Sequence, residues 1–232
     1  MEKFKKWFEN YWYHYKWTTI VVLFFVIVIG IGVGQMATKD TYDINILYSG
    51  PILLNQDQTV GIEDAFEFVL PRDFNEDEEK SVLIHRITVL SDEQLAAKQE
   101  EAAKEDDKVY YDLKTRSDNI SQVTTLFATG ETTICLMDPY MYNMYLSQGA
   151  FLTLEEVLGE KPSYARDDYS VKLADTPFGQ YFEALQVLPE DTVLCIRKAA
   201  VFSGGSKKKS GEQYEFDKEV FQAIFAFTPP EL

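Results

Sequence analysis

The sequence predicts an α/β domain with a mainly parallel sheet flanked by helices, preceded by one N-terminal transmembrane helix. Three observations predict it. Thr18 to Met36 (TTIVVLFFVIVIGIGVGQM) holds no charge. Behind it, short apolar runs alternate with longer segments whose apolar residues recur at helical spacing, the pattern of a layered α/β fold. One of those runs, Thr132 to Met137 (TTICLM), is apolar throughout after its threonines. That suits the centre of a parallel sheet buried on both faces.

The apolar run sets the organisation of the chain. Between Lys16 and Lys39 lie 22 uncharged residues, and about 20 are needed to cross a bilayer as a helix. A helix satisfies its own backbone hydrogen bonds in lipid. The chain therefore divides into a head (1–17), a transmembrane helix (18–37) and an extracytoplasmic α/β domain (38–232). The head carries Lys3, Lys5, Lys6 and Lys16 against Glu2 and Glu9, a net of +2. The rest has 18 basic against 36 acidic side chains, a net of −18. Lys and Arg beside a first span hold that end in the cytoplasm. The expected arrangement is a single-pass protein of the cell membrane, with its N-terminus inside and its C-terminal domain outside. A cleaved signal peptide needs small residues three and one before the cut, and Gln35-Met36-Ala37 fails at the first. In the head, Phe4, Trp7, Phe8, Tyr11 and Tyr15 recur at helical spacing. Such rings form a belt at the membrane–water boundary, to which His14 belongs; the other reading is a docking helix for a membrane partner.

The elements of the domain follow in order. Thr38 to Thr41 is a short juncture. Tyr42 to Tyr48 alternates and ends at Ser49-Gly50-Pro51, a strand and a turn. Gly61 to Leu70 reads as a helix stopped by Pro71, on the spacing of Ile62, Ala65, Phe66 and Val69. Asn75 to Glu79 (NEDEE) lacks the spaced ligands and the glycine of a calcium loop, so it reads as a solvated loop. Ser81 to Leu90 is a second strand, with His85 a packed or edge residue. Asp92 to Lys108 is rich in helix formers, and Ser91 with Gln94 resembles a capping box. Ile120, Val123, Leu126 and Phe127 mark a helix that Gly130 closes. The strand Thr132 to Met137 follows, then Asp138-Pro139, a helix over 140–147, and Thr153 with Glu156 in capping-box register. Lys161 to Asp175 is polar and irregular. Phe178 to Leu185 forms a short helix, and Thr192 to Arg197 a fourth strand. Phe202 to Gly211 (FSGGSKKKSG) is a mobile loop by composition. Phe216, Val220, Ile224 and Phe227 stripe a final helix before Pro229-Pro230.

Several function classes are excluded by composition. An acidic domain does not neutralise phosphate, so nucleic acid is not the partner. The sequence shows no G-x-S-x-G, no H-E-x-x-H and no phosphate-binding loop, so no enzyme, cofactor or metal site is expected. Two cysteines, Cys135 and Cys195, do not make a disulfide scaffold. Each sits in an apolar strand-like run and reads as a buried thiol, with a single disulfide as the alternative.

The run ISQVTTLFATGETTICLMDPYMYNMYLSQGAFLTLEEVL, Ile120 to Leu158, resembles extracellular solute-binding proteins of ABC-transport type. The resembling pieces are an apolar helix and glycine (Ile120 to Gly130) and a strand ending in Asp (Thr132 to Asp138). A helix (Tyr140 to Ser147), Gly149, and an L-t-L-e-e-l segment (Phe151 to Leu158) complete them. The resemblance implies a lobe of that family and a non-catalytic binding role, with a small solute as partner. The head, ending in Tyr15-Lys16-Trp17, also resembles that of single-span Firmicutes proteins. The chain departs from the solute-binding family in two ways. Its members usually have two lobes and a lipid on a Cys, whereas here no Cys directly follows the span. One lobe and a reduced two-lobe form both remain open.

In parallel sheets, ligands sit beyond the carboxyl ends of the strands. That points to Tyr48, Ser49, Asp138, Tyr140 and Tyr142 as ligand-binding residues. Ser49 would donate a hydrogen bond, Asp138 would accept one, and the tyrosines would offer apolar faces with polar tips. Asp138 also reads as a helix cap. The expectation is a membrane-anchored extracytoplasmic binding domain. The alternative is an interaction or scaffold subunit of a membrane complex with no small-molecule ligand.

Overall fold

A computed structural model describes residues 2–37, 42–105, 112–199 and 207–230. The chain forms two compact units, Met1–Thr41 and Tyr42–Leu232. In the first, α1 (Glu2–Ala37) runs without a break for 36 residues, about 54 Å at 1.5 Å per residue. Head and span are thus one helix. Trp7 stacks on Tyr11 and Tyr11 on Tyr15, at centroid distances of 5.7 and 5.4 Å. Every side chain from Ile20 to Ile29 is between 46% and 62% exposed, and the helix is long and apolar enough to cross a membrane. Thr38 to Thr41 lies outside the described residues.

The second unit is built on a five-stranded sheet. In chain order its elements are β1 (Ile44–Gly50), α2 (Gln56–Val69), β2 (Val82–Thr88), α3 (Asp92–Glu105) and α4 (Leu113–Thr129). Then come β3 (Ile134–Met137), α5 (Pro139–Leu146), α6 (Leu154–Leu158), β4 (Ser170–Lys172), α7 (Pro177–Tyr181), β5 (Val193–Ile196) and α8 (Lys207–Ala226). The strand order is β2-β1-β3-β5-β4. All four residues of β3 and all four of β5 are fully buried. Ile134, Leu136, Leu194 and Ile196 face a core shared with α2, α6 and α8. Cys135, Met137, Val193 and Cys195 face a second core under α4 and α5. The sheet is therefore the middle of three layers.

The expectation of a mainly parallel sheet does not hold: the sheet is mixed. The β1–β2 and β1–β3 ladders are parallel, and β5 runs antiparallel to both β3 and β4. The apolar run Val193 to Ile196 reports burial on both faces, and burial is indifferent to strand direction. β4 lies in the segment read as irregular. It has three residues, of which Val171 alone is apolar, too few for a period. Its place comes from pairing with β5.

Local chemistry explains the remaining boundaries. α2 begins five residues earlier than its apolar spacing suggests, because Asn55 and Gln58 form a capping box: Gln58 N donates to Asn55 Oδ1 at 2.9 Å, and Asn55 N to Gln58 Oε1 at 3.0 Å. Gly130 ends α4 at φ 78°, the left-handed conformation of a C-terminal cap. Thr153 and Glu156 form the expected capping box of α6. Lys207 to Gly211, expected in a mobile loop, open α8 instead, while 202–206 lie outside the described residues. So do 106–111, which hold the end of the expected helix over 92–108. On the edge strand β2, Glu63 and Glu67 of α2 accept from Ile84 N (3.0 Å) and Val82 N (3.3 Å). Those carboxylates occupy edge donors that would otherwise invite a foreign strand. Half-buried His85 keeps its ring 3.2 Å from Asn45 Oδ1, and burial lowers its pKa. Cys135 and Cys195 are free, buried and directly opposite each other across β3 and β5.

The end of the domain remote from the carboxyl ends of β1–β3 carries a buried polar group. Asp43 accepts from the backbone N–H of Phe74, Asn75 and Ser81 and so ties down the 71–80 loop. Gln213 donates to Asp43 O (2.7 Å) and to Asp217 (3.0 Å). Burial pushes the Asp217 carboxyl up to about 6, against hydrogen bonds from Thr133 and Gln213 and the charge of Arg197. A carboxyl raised above its unfolded value of about 3.9 stabilises the fold fully below that pH and loses the contribution as pH rises through 6. Asp217→Asn is therefore expected to become more stable relative to the unsubstituted protein from pH 4 to pH 7, by on the order of 2 kcal/mol. Unfolding midpoints of both proteins across that range check it.

Candidate functional site

The chain leaves β1 for β2 on one side and then crosses to β3 on the other. α2, which follows β1, covers one face of the sheet, while α4 and α5 cover the opposite face. The carboxyl ends of β1 and β3 are thus a topological switch point, where connections diverge and leave a crevice. Two backbone bonds close the strand ends beneath it: Asp138 N donates to Ser49 O at 2.8 Å, and Val89 N to Gly50 O at 3.0 Å.

A crevice of about 370 Å³ opens there. One wall is the start of α3, Ser91 to Gln94. The other is the start of α5, Asp138 to Tyr140, and Asp191, just before β5, completes it. The walls are joined. Ser91 and Gln94 form the expected capping box (Gln94 N to Ser91 Oγ 3.2 Å, Ser91 N to Gln94 Oε1 2.8 Å). The Gln94 amide then donates to Asp138 Oδ2 at 2.9 Å. Asp138 Oδ1 caps α5 by accepting from Tyr140 N at 2.8 Å, and Pro139 holds the first helical position. Asp138 is thus both a cap and a lining residue, 5% exposed. Asp92, Glu93 and Asp191 are exposed around it, and Asp92 Oδ1 pairs with Arg116 Nη1 at 2.5 Å. No Lys or Arg is among the lining residues. The crevice suits a ligand that donates hydrogen bonds or carries positive charge.

Asp138 and Tyr140 are the expected site residues that meet in this crevice. Tyr48 lies beneath the strand end, 1% exposed, and its hydroxyl accepts from Ile52 N at 3.2 Å. Burial pushes its phenol up to about 12, and the charges of Asp138 and Asp191 add to the rise. Its ring folds back under Gly50, where a Cβ would stand 2.7 Å from the Tyr48 hydroxyl; glycine is needed there for close approach. Ser49 is fully buried, and its Oγ has no hydrogen-bond partner among the described residues. Tyr142 faces the other core. It stacks on Phe151 at 5.2 Å, lies under the Arg166 guanidinium, and donates to the Asp167 carboxylate at 2.8 Å. Burial, first, raises its pKa. The helical period separates the two tyrosines: Tyr140 in the first turn of α5 borders the crevice, and two residues on Tyr142 points inward.

Sequence reasoning did not place the other lining residues in the site, Ser91 to Gln94, Pro139 and Asp191. The capping-box spacing located Ser91 and Gln94 at a helix start, but their approach to Asp138 depends on β2 and β3 both flanking β1. Asp191 arrives only because β5 is reversed. Among the described residues, no group of three or more His, Cys, Asp or Glu is placed to hold a metal ion. Neither a protein-family model, nor a curated protein, nor a solved structure matches the chain.

Two stability outcomes follow. Asp138→Ala is expected to cost about 1–2 kcal/mol through the lost cap of α5, whereas Asp138→Asn keeps the cap, gives up only the bond that Oδ2 accepts from Gln94, and costs less, about 1 kcal/mol; denaturant unfolding of the two variants compares them. Ser49→Ala removes a buried hydroxyl with no partner, so it is expected to raise stability by about 1 kcal/mol in the same assay. A loss of that size would show that the hydroxyl is satisfied.

Proposed function

We propose that this chain is a non-catalytic, membrane-anchored binding domain that takes a small polar solute with a positively charged or donor-rich group. The observation that carries the reading is the crevice at the β1–β3 switch point. Such crevices are where open α/β sheets bind ligands. Asp138 at its centre is positioned by a helix start on one side and Gln94 on the other. The carboxylates of Asp92, Glu93 and Asp191 bias its charge. In this reading Asp138 and Tyr140 contact the solute, whereas Tyr48 and Ser49 support the strand end from below. Tyr142 anchors the turn at Asp167. The kinship to extracellular solute-binding proteins is part of the same proposal and rests on the Ile120 to Leu158 segment. The +2 head and the uncharged span support a cytoplasmic N-terminus and a domain on the outer face of the cell membrane. An interaction role, compatible with solute capture, is favoured by a separate observation, the exposed rings of Phe68 and Tyr181.

A thermal-shift screen of the full chain in neutral micelles tests the solute reading, with amino acids, amines, peptides, sugars and metal ions as probes. A ligand that binds only the folded state adds roughly 2.7 kcal/mol at a hundred times its dissociation constant. The expected hits are cationic. Their shifts are lost in Asp138→Asn, which keeps the cap of α5 but removes the charge and the bond accepted from Gln94, and are reduced in Tyr140→Ala. Shifts that survive both substitutions would place the ligand elsewhere, and a silent screen would count against solute capture.

A further inference from the structure

A group of aromatic rings runs from the core of the domain to its surface, away from the crevice. At its base Phe66 and Phe178 are fully buried, 5.1 Å apart. Phe178 touches Phe182 (5.1 Å) and Phe227 (5.8 Å). Those two carry the outer rings: Phe68 lies 5.5 and 6.2 Å from them, and Tyr181 4.9 and 5.3 Å. Phe68 is 60% exposed and Tyr181 45%. Contiguous exposed rings of this kind mark contact surfaces, and aromatic residues are the usual anchors of protein interfaces.

The two elements that carry Phe68 and Tyr181 hold charge of one sign. α2 and the segment Pro177 to Val187 carry Asp57, Glu63, Asp64, Glu67 and Glu183, and no Lys or Arg. Asp64 is exposed one turn before Phe68 on the same face of α2, and Glu183 follows Phe182 directly. Ring faces are themselves negative and attract cations. A second copy of the chain would bring like charge to like charge. An anionic bilayer would repel a domain that belongs to a stretch of net −18. We propose that Phe68, Tyr181, Phe182 and Phe227 form a docking surface for a basic, amphipathic segment of a partner protein. The apolar side chains of that segment rest on the rings, and its Lys or Arg side chains stand beside Asp64 and Glu183.

The test uses the full chain in neutral micelles and a labelled amphipathic Leu/Lys peptide of about 18 residues, with its Leu/Glu counterpart as control. Fluorescence anisotropy is expected to show saturable, salt-sensitive binding of the Leu/Lys peptide and none of the control. Asp64→Lys alters an exposed side chain and should melt as the unsubstituted protein does, whereas Phe68→Ser and Tyr181→Ser lose ring packing on Phe182 and Phe227 and should melt somewhat lower, so binding is compared at a temperature where melting curves show every variant folded. Each should bind at least about tenfold more weakly, a change of about 1.4 kcal/mol. Equal binding by the variants, or by the Leu/Glu peptide, overturns the proposal, as does absence of binding. A Phe68-dependent dimer formed without peptide overturns it in favour of a second copy. So does a Tyr181→Cys thiol that a small maleimide labels in neutral micelles but not in anionic liposomes, in favour of lipid. Asp138→Asn should leave peptide binding unchanged, so this surface and the crevice stand or fall separately.

Discussion

Two-sided burial of β3 is the constraint on which the domain depends. Its four residues, Ile134 to Met137, are fully buried, with β1 and β5 hydrogen-bonded on either edge and a separate apolar cluster on each face. A strand so placed has no polar side chain to spare, and its backbone groups must pair with neighbours rather than water. That requires helices on both faces, which the chain supplies with α2, α6 and α8 on one and α4 and α5 on the other. It also makes the ends of β3 the first places where polar chemistry is permitted. Asp138 and Thr133 stand at those two ends, and each belongs to a polar network.

The two networks differ in exposure. At the carboxyl end, Asp138 is held by Tyr140 N and Gln94 but borders an open crevice. At the amino end, Asp217, Arg197 and Asp43 are buried, and their hydrogen bonds go to backbone, to Thr133 and to half-buried Gln213. Burial raises the Asp217 carboxyl, the cost of a charge kept from water. This closed network joins α8 and the 71–80 loop to the sheet, so it is structural. The open one borders a crevice rimmed by the exposed carboxylates of Asp92, Glu93 and Asp191, which is why it is the candidate site. The exposed rings around Phe68 form a third feature whose outer members exceed what core packing needs, since Phe66 and Phe178 already fill the interior.

Much of the fold was legible in the residues because burial writes itself into local pattern. The strand β3 and the stripe Val123, Leu126, Phe127 followed from apolar spacing. The cap at Gly130, the box Thr153–Glu156 and the box Ser91–Gln94 followed from turn chemistry. The candidate site was legible only in part. Strand ends can be located along the chain, and Asp138 and Tyr140 were found that way. Whether a neighbouring side chain faces crevice or core depends on a rotation of one residue, so Tyr48 and Tyr142 were grouped with them although each is packed inside. Three-residue β4 has no period to read, and α8 begins inside a Gly/Ser/Lys-rich stretch whose composition favours a loop.

The sequence by itself determined the long apolar helix, the alternation of strands and helices behind it, and the acidity of the domain. These are properties of composition and of periods of two or 3.6, which act within a few residues. Tertiary structure alone decided the direction of β5, the pairing that makes β4 a strand, and the meeting of Gln94, Asp138 and Asp191 around one crevice. Each joins segments dozens of residues apart through hydrogen bonds and packing. An apolar strand satisfies its burial equally well in either direction, so only the path of the intervening chain, from β4 through α7 to the same end of the sheet, selects one.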